Sequence, residues 1–155
     1  MKTILITALV LCALAANAAA QTNNAPGKVE TEVDLIWGVK IPLRDGVKLN
    51  ATIYKPKNMS APLPVIFTLT PYVGDSYHAR ADYFAKNGYV FALVDVRGRG
   101  SSEGKFNPFA QEAKDGYDTV EWLAKQSFSN GKITMWGGSY AGYNQGRCSR
   151  NFRRI

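Results

Sequence analysis

The feature of this sequence that most constrains its fold is a set of short apolar runs that alternate with helical segments. Residues 65–69 and 89–94 are largely apolar runs of strand length, and such runs are typical of strands that are buried on both faces. Between them, residues 79–87 are predicted to form a helix that ends at Gly88. Buried strands separated by helices indicate an α/β fold with a mostly parallel sheet and helices on both of its faces.

The sheet is expected to begin with a hairpin. Residues 29–41 are rich in β-branched and aromatic side chains, and residues 47–54 alternate between apolar and polar positions with a period of two. Asp45-Gly46 between them is a strong hairpin turn signal. We therefore expect an antiparallel hairpin ahead of the parallel strands.

A second helix and a last strand are predicted downstream. Asn107 followed by Pro108 is typical of a helix N-cap with proline in the first turn, and apolar residues recur at helical spacing to about Gln126. Residues 132–136 are then expected to form a strand. Because ligand sites in open α/β sheets lie beyond the carboxyl ends of the strands, the chemistry is expected in residues 70–72, 95–104 and 137–142.

The third of these segments, Gly137-Gly138-Ser139-Tyr140-Ala141-Gly142, has the pattern of a nucleophile elbow. It follows an apolar strand and precedes a predicted helix, which is the context that this motif requires. A serine on such a sharp turn projects its hydroxyl above the sheet, and the helix start directs backbone N–H groups at a developing oxyanion. The alternative is a glycine-rich turn that carries an ordinary serine.

The second segment, residues 95–104, has Gly98 and Gly100 directly after a strand. A phosphate-binding loop is the functional alternative here, but the third glycine of that motif and a Walker lysine are missing. We favour a structural turn in which Asp95 and Arg97 pair with each other. The sequence implies no metal and no organic cofactor.

The first twenty residues are predicted to be a signal peptide. Lys2 supplies a positive start, residues 4–16 form an uncharged apolar run, and Ala18-Ala19-Ala20 fits the small-residue rule of signal peptidase. The run of ~13 residues is shorter than the ~20 that a transmembrane helix needs, and an anchor helix is the alternative. The mature chain would begin with a flexible leader, residues 21–28, and would be periplasmic or secreted.

Composition excludes several other classes of function. The formal charge is +7, but five basic residues lie in the predicted signal or in the last nine positions. The other 14 basic residues nearly balance the 12 acidic ones, which is not the footprint of a nucleic-acid-binding protein. Two cysteines, Cys12 and Cys148, are too few for a disulfide framework or a cysteine zinc site.

Four stretches of the sequence together resemble one family. They are Arg44-Asp45-Gly46-Val47-Lys48-Leu49, Thr70-Pro71-Tyr72, residues 95–104 with the sequence DVRGRGSSEG, and Gly137-Gly138-Ser139-Tyr140-Ala141-Gly142. In this order they are similar to the X-Pro dipeptidyl-peptidase-like α/β-hydrolases, the group of cocaine esterase, α-amino-acid ester hydrolase and glutaryl-7-aminocephalosporanic acid acylase. The resemblance implies that residues 29–145 are the N-terminal part of an α/β-hydrolase catalytic domain, truncated after the nucleophile elbow.

The resemblance also implies a mechanism and its residues. Ser139 would be the acylating nucleophile, while the backbone N–H of Tyr140 and the phenol of Tyr72 would hold the oxyanion. The chain would be an exported serine hydrolase that cleaves peptide, ester or amide bonds of small substrates through an acyl-enzyme on Ser139. From the residues alone, Tyr72 would be interpreted as a packed aromatic of a loop.

A serine hydrolase also needs a general base and a carboxylate that orients it. Residues 140–155 contain no Asp, Glu or His. The single histidine, His78, precedes the nucleophile and is interpreted as a loop histidine rather than a substitute base. Residues 146–155 are expected to be an aberrant basic tail that a frameshift or truncation produced. The alternative to an active enzyme is therefore a non-catalytic fragment that lacks the triad acid and histidine.

Overall fold

A computed structural model describes residues 31–72 and 74–152. These residues form one five-stranded sheet with three α-helices, and a 3₁₀ turn, Gly74–Tyr77, precedes the first helix. The strands are β1 (Val33–Pro42), β2 (Lys48–Pro56), β3 (Leu63–Thr70), β4 (Val90–Asp95) and β5 (Ser129–Met135), and the helices are α1 (His78–Lys86), α2 (Glu112–Ala124) and α3 (Ser139–Phe152).

The sheet is mixed, with the strand order β1-β2-β4-β3-β5. The predicted hairpin is confirmed, because β1 pairs antiparallel with β2. Its turn closes with the Leu43 N–H donating to the Val47 carbonyl at 2.9 Å, and Gly46 supplies the positive φ of 87° that the turn requires. The strand β2 is also antiparallel to β4, whereas β3 lies parallel to both β4 and β5. The α/β architecture is therefore as expected.

Both faces of the central strands are buried. On one face, Val65, Phe67 and Leu69 of β3 belong to a core that includes Leu123 of α2 and Tyr140 of α3. On the other face, the side chains of β3, β2 and β4 pack against α1, and this core contains Tyr54, Ile66, Phe91, Ala81 and Ala85. Helices thus cover both faces, which is why the strands lack polar alternation.

The start of α2 differs from the prediction. Asn107 and Pro108 lie in a turn, with the Ala110 N–H donating to the Asn107 carbonyl at 3.3 Å, and the helix begins only at Glu112. Phe109 has a left-handed φ of 64°, which interrupts helical geometry. The Asn-Pro pair therefore marks a turn ahead of the helix, and the prediction that the helix starts there is wrong.

The predicted pair between Asp95 and Arg97 is also wrong. Arg97 donates from Nε and Nη2 to Asp115 of α2 at 3.0 and 2.8 Å, and its Nη2 also lies 2.8 Å from Asp45 in the hairpin turn. The Asp95 carboxylate instead accepts from the Asn50 amide at 3.2 Å. The loop after β4 is a structural turn, but it ties the hairpin turn to α2 rather than closing on itself.

The helix α3 continues through the segment that was expected to be an aberrant tail. It extends to Phe152, so the predicted boundary between residues 145 and 146 lies inside it. Cys148 is fully buried in this helix, and its Sγ donates to the Glu112 carbonyl at 3.4 Å. The predicted signal peptide and leader lie outside the described residues. No described helix combines the length and the hydropathy that a membrane-spanning segment needs.

Candidate active site

Ser139 occupies a strained turn between β5 and α3. The strand ends at Met135, three residues intervene, and Ser139 is the first residue of the helix. Its side chain is exposed and its φ is +52°, a left-handed value that it shares, among non-glycine residues of the described chain, only with Phe109. Such a conformation costs a residue with a Cβ about 1–2 kcal/mol, and strain of this kind is concentrated at functional sites.

Small residues allow the helix to approach the strand that precedes it. Gly137 has a φ of +146°, and a Cβ on it would lie only 2.5 Å from the Cβ of Ala141. A Cβ on Gly142 would lie 3.3 Å from the Gly137 carbonyl oxygen. A side chain at Gly137 would therefore push α3 away from the turn, and one at Gly142 would crowd it, whereas Gly138 has nothing within 4 Å of its Cβ position.

Two amide side chains of α3 fasten the helix to the ends of the strands. The Gln145 Nε2 donates to the Gly137 carbonyl at 2.8 Å, and the buried Asn144 Nδ2 donates to the Leu69 carbonyl of β3 at 2.9 Å. These bonds hold the first turns of α3 against the carboxyl ends of β5 and β3. The position of Ser139 is therefore set by the sheet as well as by its own backbone.

Tyr72 lies beside this elbow because it follows β3, the strand that pairs with β5. The strand β3 is the neighbour of β5 in the sheet, so the residues that follow the two strands meet at one edge. The Tyr72 and Tyr140 rings contact edge to face, with centroids 6.4 Å apart at 77°. Tyr72 remains 46% exposed, which leaves its side chain accessible at the site. The structure thus brings the three predicted site residues into one place.

Tyr140 is anchored through its side chain. Its hydroxyl donates to the Glu112 carboxylate and accepts from the Phe109 N–H at 3.0 Å. Burial, together with the hydrogen bond to Glu112, raises the pKa of the Tyr140 phenol to about 12. Its backbone N–H lies in the first turn of α3, where N–H groups have no intrahelical acceptor. That N–H is therefore held at a fixed position next to Ser139.

Two residues of this site, Glu112 and Phe109, were not singled out by the sequence. Glu112 is buried against Tyr140, and the Phe109 ring stacks on the Tyr140 ring with centroids 4.4 Å apart. With the helix expected to start near Asn107, both residues would have been ordinary helical positions. In the structure Phe109 instead lies in the turn before the helix with a positive φ of 64°, and no sequence pattern signals a positive φ at phenylalanine.

His78 lies elsewhere. It is the first residue of α1, and its Nδ1 is 3.1 Å from the hydroxyl of Tyr54. Tyr54 belongs to the core on the face opposite Tyr140. The interpretation of His78 as a loop histidine needs correction only in that it begins a helix. Within residues 31–72 and 74–152, no group of three or more metal-ligating side chains is found.

Known proteins match this chain over most of its length. A family model described as X-Pro dipeptidyl-peptidase (S15 family) matches residues 45–150. Cocaine esterase from Rhodococcus sp. (strain MB1 Bresler) is 34% identical over 123 residues, which cover 76% of this chain and 21% of the esterase. The chain spans about a fifth of the length of the curated relatives that it matches.

Solved structures show the same fold. A CocE/NonD family hydrolase from Staphylococcus aureus superposes with a TM-score of 0.71 at 26% identity, covering 78% of this chain and 26% of that one. An α-amino acid ester hydrolase superposes with a TM-score of 0.64 at 32% identity, covering 81% of this chain and 25% of the hydrolase. The expected α/β-hydrolase fold is confirmed by these similarities.

Proposed function

The chain belongs to the X-Pro dipeptidyl-peptidase (S15) family of α/β-hydrolases, and from this premise we propose that it carries the nucleophile and oxyanion donors of a serine hydrolase. The resemblance predicted from the four sequence stretches is confirmed by the family match. The substrates proposed are small peptides, esters or amides. The observation that supports the proposal most is the exposed, left-handed Ser139 at the start of α3.

In the proposed reaction the Ser139 Oγ attacks the carbonyl carbon of the substrate. A base takes the hydroxyl proton, and the carbonyl oxygen becomes an oxyanion that accepts from the Tyr140 N–H and the Tyr72 phenol. The tetrahedral species then collapses, the bond to the leaving alcohol or amine breaks, and the leaving group takes the proton. Water attacks the resulting acyl-enzyme in the same way and releases the acid.

The reaction also needs a general base and a carboxylate that orients it, and Ser139, Tyr140 and Tyr72 supply neither. The only histidine of the sequence, His78, shares a hydrogen bond with the Tyr54 hydroxyl on the other face of the sheet. The match covers about a fifth of the relatives' length, and we propose that in this family the base and the carboxylate lie in the part that the match does not cover. The alternative of a non-catalytic fragment is decided by the same experiment as the proposal itself.

That experiment measures hydrolysis of short-chain p-nitrophenyl esters by the protein as its own gene encodes it. We expect Ser139→Ala to abolish turnover, because it removes the attacking oxygen. Tyr72→Phe should lower kcat by about 100-fold with little change in KM, because one oxyanion donor is lost. Ser149→Ala, an exposed serine on the same helix, is the matched control. Turnover that survives Ser139→Ala would overturn the proposal, and absence of turnover in the unaltered protein would favour the fragment.

We also propose that residues 1–20 direct export and are removed before Gln21. A fusion of these residues to a reporter enzyme that is active only outside the cytoplasm should be secreted, and sequencing of the mature N-terminus should begin at Gln21. Replacement of an apolar residue within 4–16 by arginine should abolish export, because a signal peptide requires an uncharged apolar stretch. A fusion that remains cytoplasmic would contradict this proposal.

A further inference from the structure

A buried carboxylate that the proposed reaction does not use lies directly behind the elbow. Glu112 is the first residue of α2 and is only 4% exposed. A carboxylate removed from water costs several kcal/mol unless hydrogen-bond donors compensate it. The donors that surround Glu112 therefore indicate what the side chain holds in place.

Three donors converge on this carboxylate. Its Oε1 accepts from the Phe109 N–H at 3.1 Å and from the Tyr140 hydroxyl, and its Oε2 accepts from the Gln111 N–H at 3.1 Å. Farther along α3, the Cys148 Sγ donates to the Glu112 backbone carbonyl at 3.4 Å. Glu112 thus contacts the nucleophile helix at two separate turns, and the nearer contact is the residue directly after Ser139.

Phe109 closes the arrangement. Its N–H lies between two acceptors, the Tyr140 hydroxyl oxygen at 3.0 Å and Glu112 Oε1 at 3.1 Å. Its ring stacks on the Tyr140 ring at an interplanar angle of 24°. These contacts hold Phe109 at its left-handed φ and pack its ring against the face of the Tyr140 ring. We call Phe109, Glu112 and Tyr140 the Glu112 cluster.

We propose that Glu112 is a positioning residue for the oxyanion donor at Tyr140. This inference rests on the proposed function. By holding the Tyr140 hydroxyl, Glu112 fixes the residue whose backbone N–H would bind the oxyanion. A useful donor must lie about 2.7–3.1 Å from the oxyanion, and a misplacement of about 1 Å can cost about 100-fold in rate. The hydrogen bond joins the Glu112 carboxylate to the Tyr140 hydroxyl, so the effect is transmitted through the tyrosine side chain.

The effect should fall on kcat rather than on KM, because an oxyanion exists only in the transition state and the intermediates that follow it. Glu112→Gln keeps the shape of the side chain, but its amide would present a donor to the Gln111 N–H or to the Tyr140 hydroxyl. We expect this variant to lower kcat by about 10- to 100-fold and to leave KM within about twofold. Rates are to be normalised to the amount of Ser139 that a fluorophosphonate titrates, so that unfolded protein is not counted.

A double-mutant cycle separates positioning from general destabilisation. Tyr140→Phe keeps the backbone N–H but removes the hydroxyl, so it should lower kcat through the same loss. The double variant should be no slower than the slower single variant, because both substitutions remove the same hydrogen bond between Tyr140 and Glu112. Tyr140→Phe also serves if Glu112→Gln fails to fold, since an unchanged kcat in Tyr140→Phe would by itself overturn the inference.

Asp118→Asn is the matched control. Asp118 is another buried carboxylate on α2, but it accepts from the Arg44 N–H at 3.0 Å and from the Arg44 Nε at 2.6 Å, in the hairpin turn between β1 and β2. This change should reduce stability and leave the normalised kcat unaltered. If the unaltered protein neither turns over nor is labelled at Ser139, the proposed function fails. If it turns over but Glu112→Gln matches Asp118→Asn in kcat, or if the effects in the cycle are additive, the present inference fails.

Discussion

Ser139 and Phe109 hold backbone conformations that glycine adopts without strain and that other residues adopt at a cost. At Ser139 this makes a specific prediction for stability. Ser139→Gly should be more stable than Ser139→Ala by about 1 kcal/mol, because alanine keeps the Cβ that conflicts with a φ of +52°. The free energies of unfolding of the two variants, measured in urea, provide the test.

The control for this prediction is Ser149, which is exposed on the same helix. There the order should be reversed, with alanine about 1 kcal/mol more stable than glycine, because the backbone is helical and glycine loses more entropy on folding. If the alanine variant is more stable than the glycine variant at both positions, Ser139 is not strained in solution.

At the scale of single residues, the sequence identified the elbow and its neighbour but not what supports them. Ser139, Tyr140 and Tyr72 could be found because glycines flank the serine and because the tyrosine follows a strand that could be recognised. Glu112 could not be found, since its role depends on the turn at Phe109. The roles of Ser139, Tyr140 and Tyr72 in catalysis stay predictions.

Between elements, α2 and α3 approach each other closely at Gly116 and Cys148. A Cβ on Gly116 of α2 would lie 2.2 Å from the Cys148 Sγ of α3. Gly116→Ala should therefore lower the free energy of unfolding by about 2 kcal/mol through overpacking. In a Cys148→Ala background the same change should cost much less, because the obstructing sulfur is gone. Urea unfolding of the four proteins measures this coupling.

Gly146 provides the comparison for Gly116. It lies on the exposed side of α3, and a Cβ there would meet no atom within 4 Å. Gly146→Ala should stabilise the protein by up to about 1 kcal/mol, because alanine is the better helix former. Equal destabilisation by the two substitutions would indicate that α2 and α3 do not cross as described.

The reactivity of the Cys148 thiol is a second test of the packing between α2 and α3. Burial raises its pKa to about 12, so almost no thiolate is present at pH 8, and the thiolate is the reactive form. In a Cys12→Ser variant, Ellman's reagent should react with the folded protein very slowly and with the urea-unfolded protein at once. Rapid reaction before unfolding would show that this part of α3 is not packed.

Arg97 links the loop after β4 to α2 and to the hairpin turn. Its guanidinium is 10% exposed and the Asp115 carboxylate is 5% exposed, and the hydrogen bonds to Asp115 raise the pKa of Arg97. Asp115→Asn should lower the free energy of unfolding by about 3 kcal/mol, because the buried guanidinium loses the carboxylate that accepts two of its hydrogen bonds and keeps only the exposed Asp45 as an ion-pair partner among the described residues. Glu121→Gln, which breaks an exposed pair with Lys125 on the same helix, should cost less than about 0.5 kcal/mol. If Asp115→Asn and Glu121→Gln lower the free energy of unfolding in urea by similar amounts, the pair between Arg97 and Asp115 is not buried as described.

At the scale of elements, strands were easier to predict than helix ends. The runs that became β3 and β4 are apolar on both faces, so their burial could be inferred without knowledge of their partners. The start of α2 could not, because Asn107 and Pro108 fit a helix N-terminus and a turn equally well. The partner of Arg97 could not be inferred either, since Asp115 reaches it only after α2 has folded onto the sheet.

For the whole molecule, the Tyr140 phenol predicts how stability changes at high pH. Its pKa is raised from 10.0 to about 12 in the folded protein, so the folded state holds the proton after the unfolded state has lost it. Its contribution to stability is complete below pH 10 and falls as the pH rises from 10 to 12. Tyr140→Phe should lose less stability than the unaltered protein over that interval in urea titrations. If Tyr140→Phe and the unaltered protein lose the same amount of stability over this pH interval, the phenol is not buried as described.

The sheet as a whole brings together the segments in which the sequence analysis expected the chemistry. The strands β4, β3 and β5 are parallel neighbours, so the segments that follow them meet at one edge. This arrangement could be predicted in outline, because alternating buried strands and helices lead to few topologies. The order of strands could not be predicted from the pattern alone, since β3 lies between β4 and β5 although it precedes both in the chain.

The central claim is that Ser139 forms an acyl-enzyme, and a mass measurement tests it most directly. The protein as encoded by its gene is mixed with p-nitrophenyl acetate, quenched in acid within seconds and digested with trypsin, which releases residues 133–147 as one peptide. We predict that this peptide gains one acetyl group on Ser139 and that Ser139→Ala gains none. An acetyl group on another residue, or an unmodified peptide from protein that hydrolyses the ester, would contradict the claim.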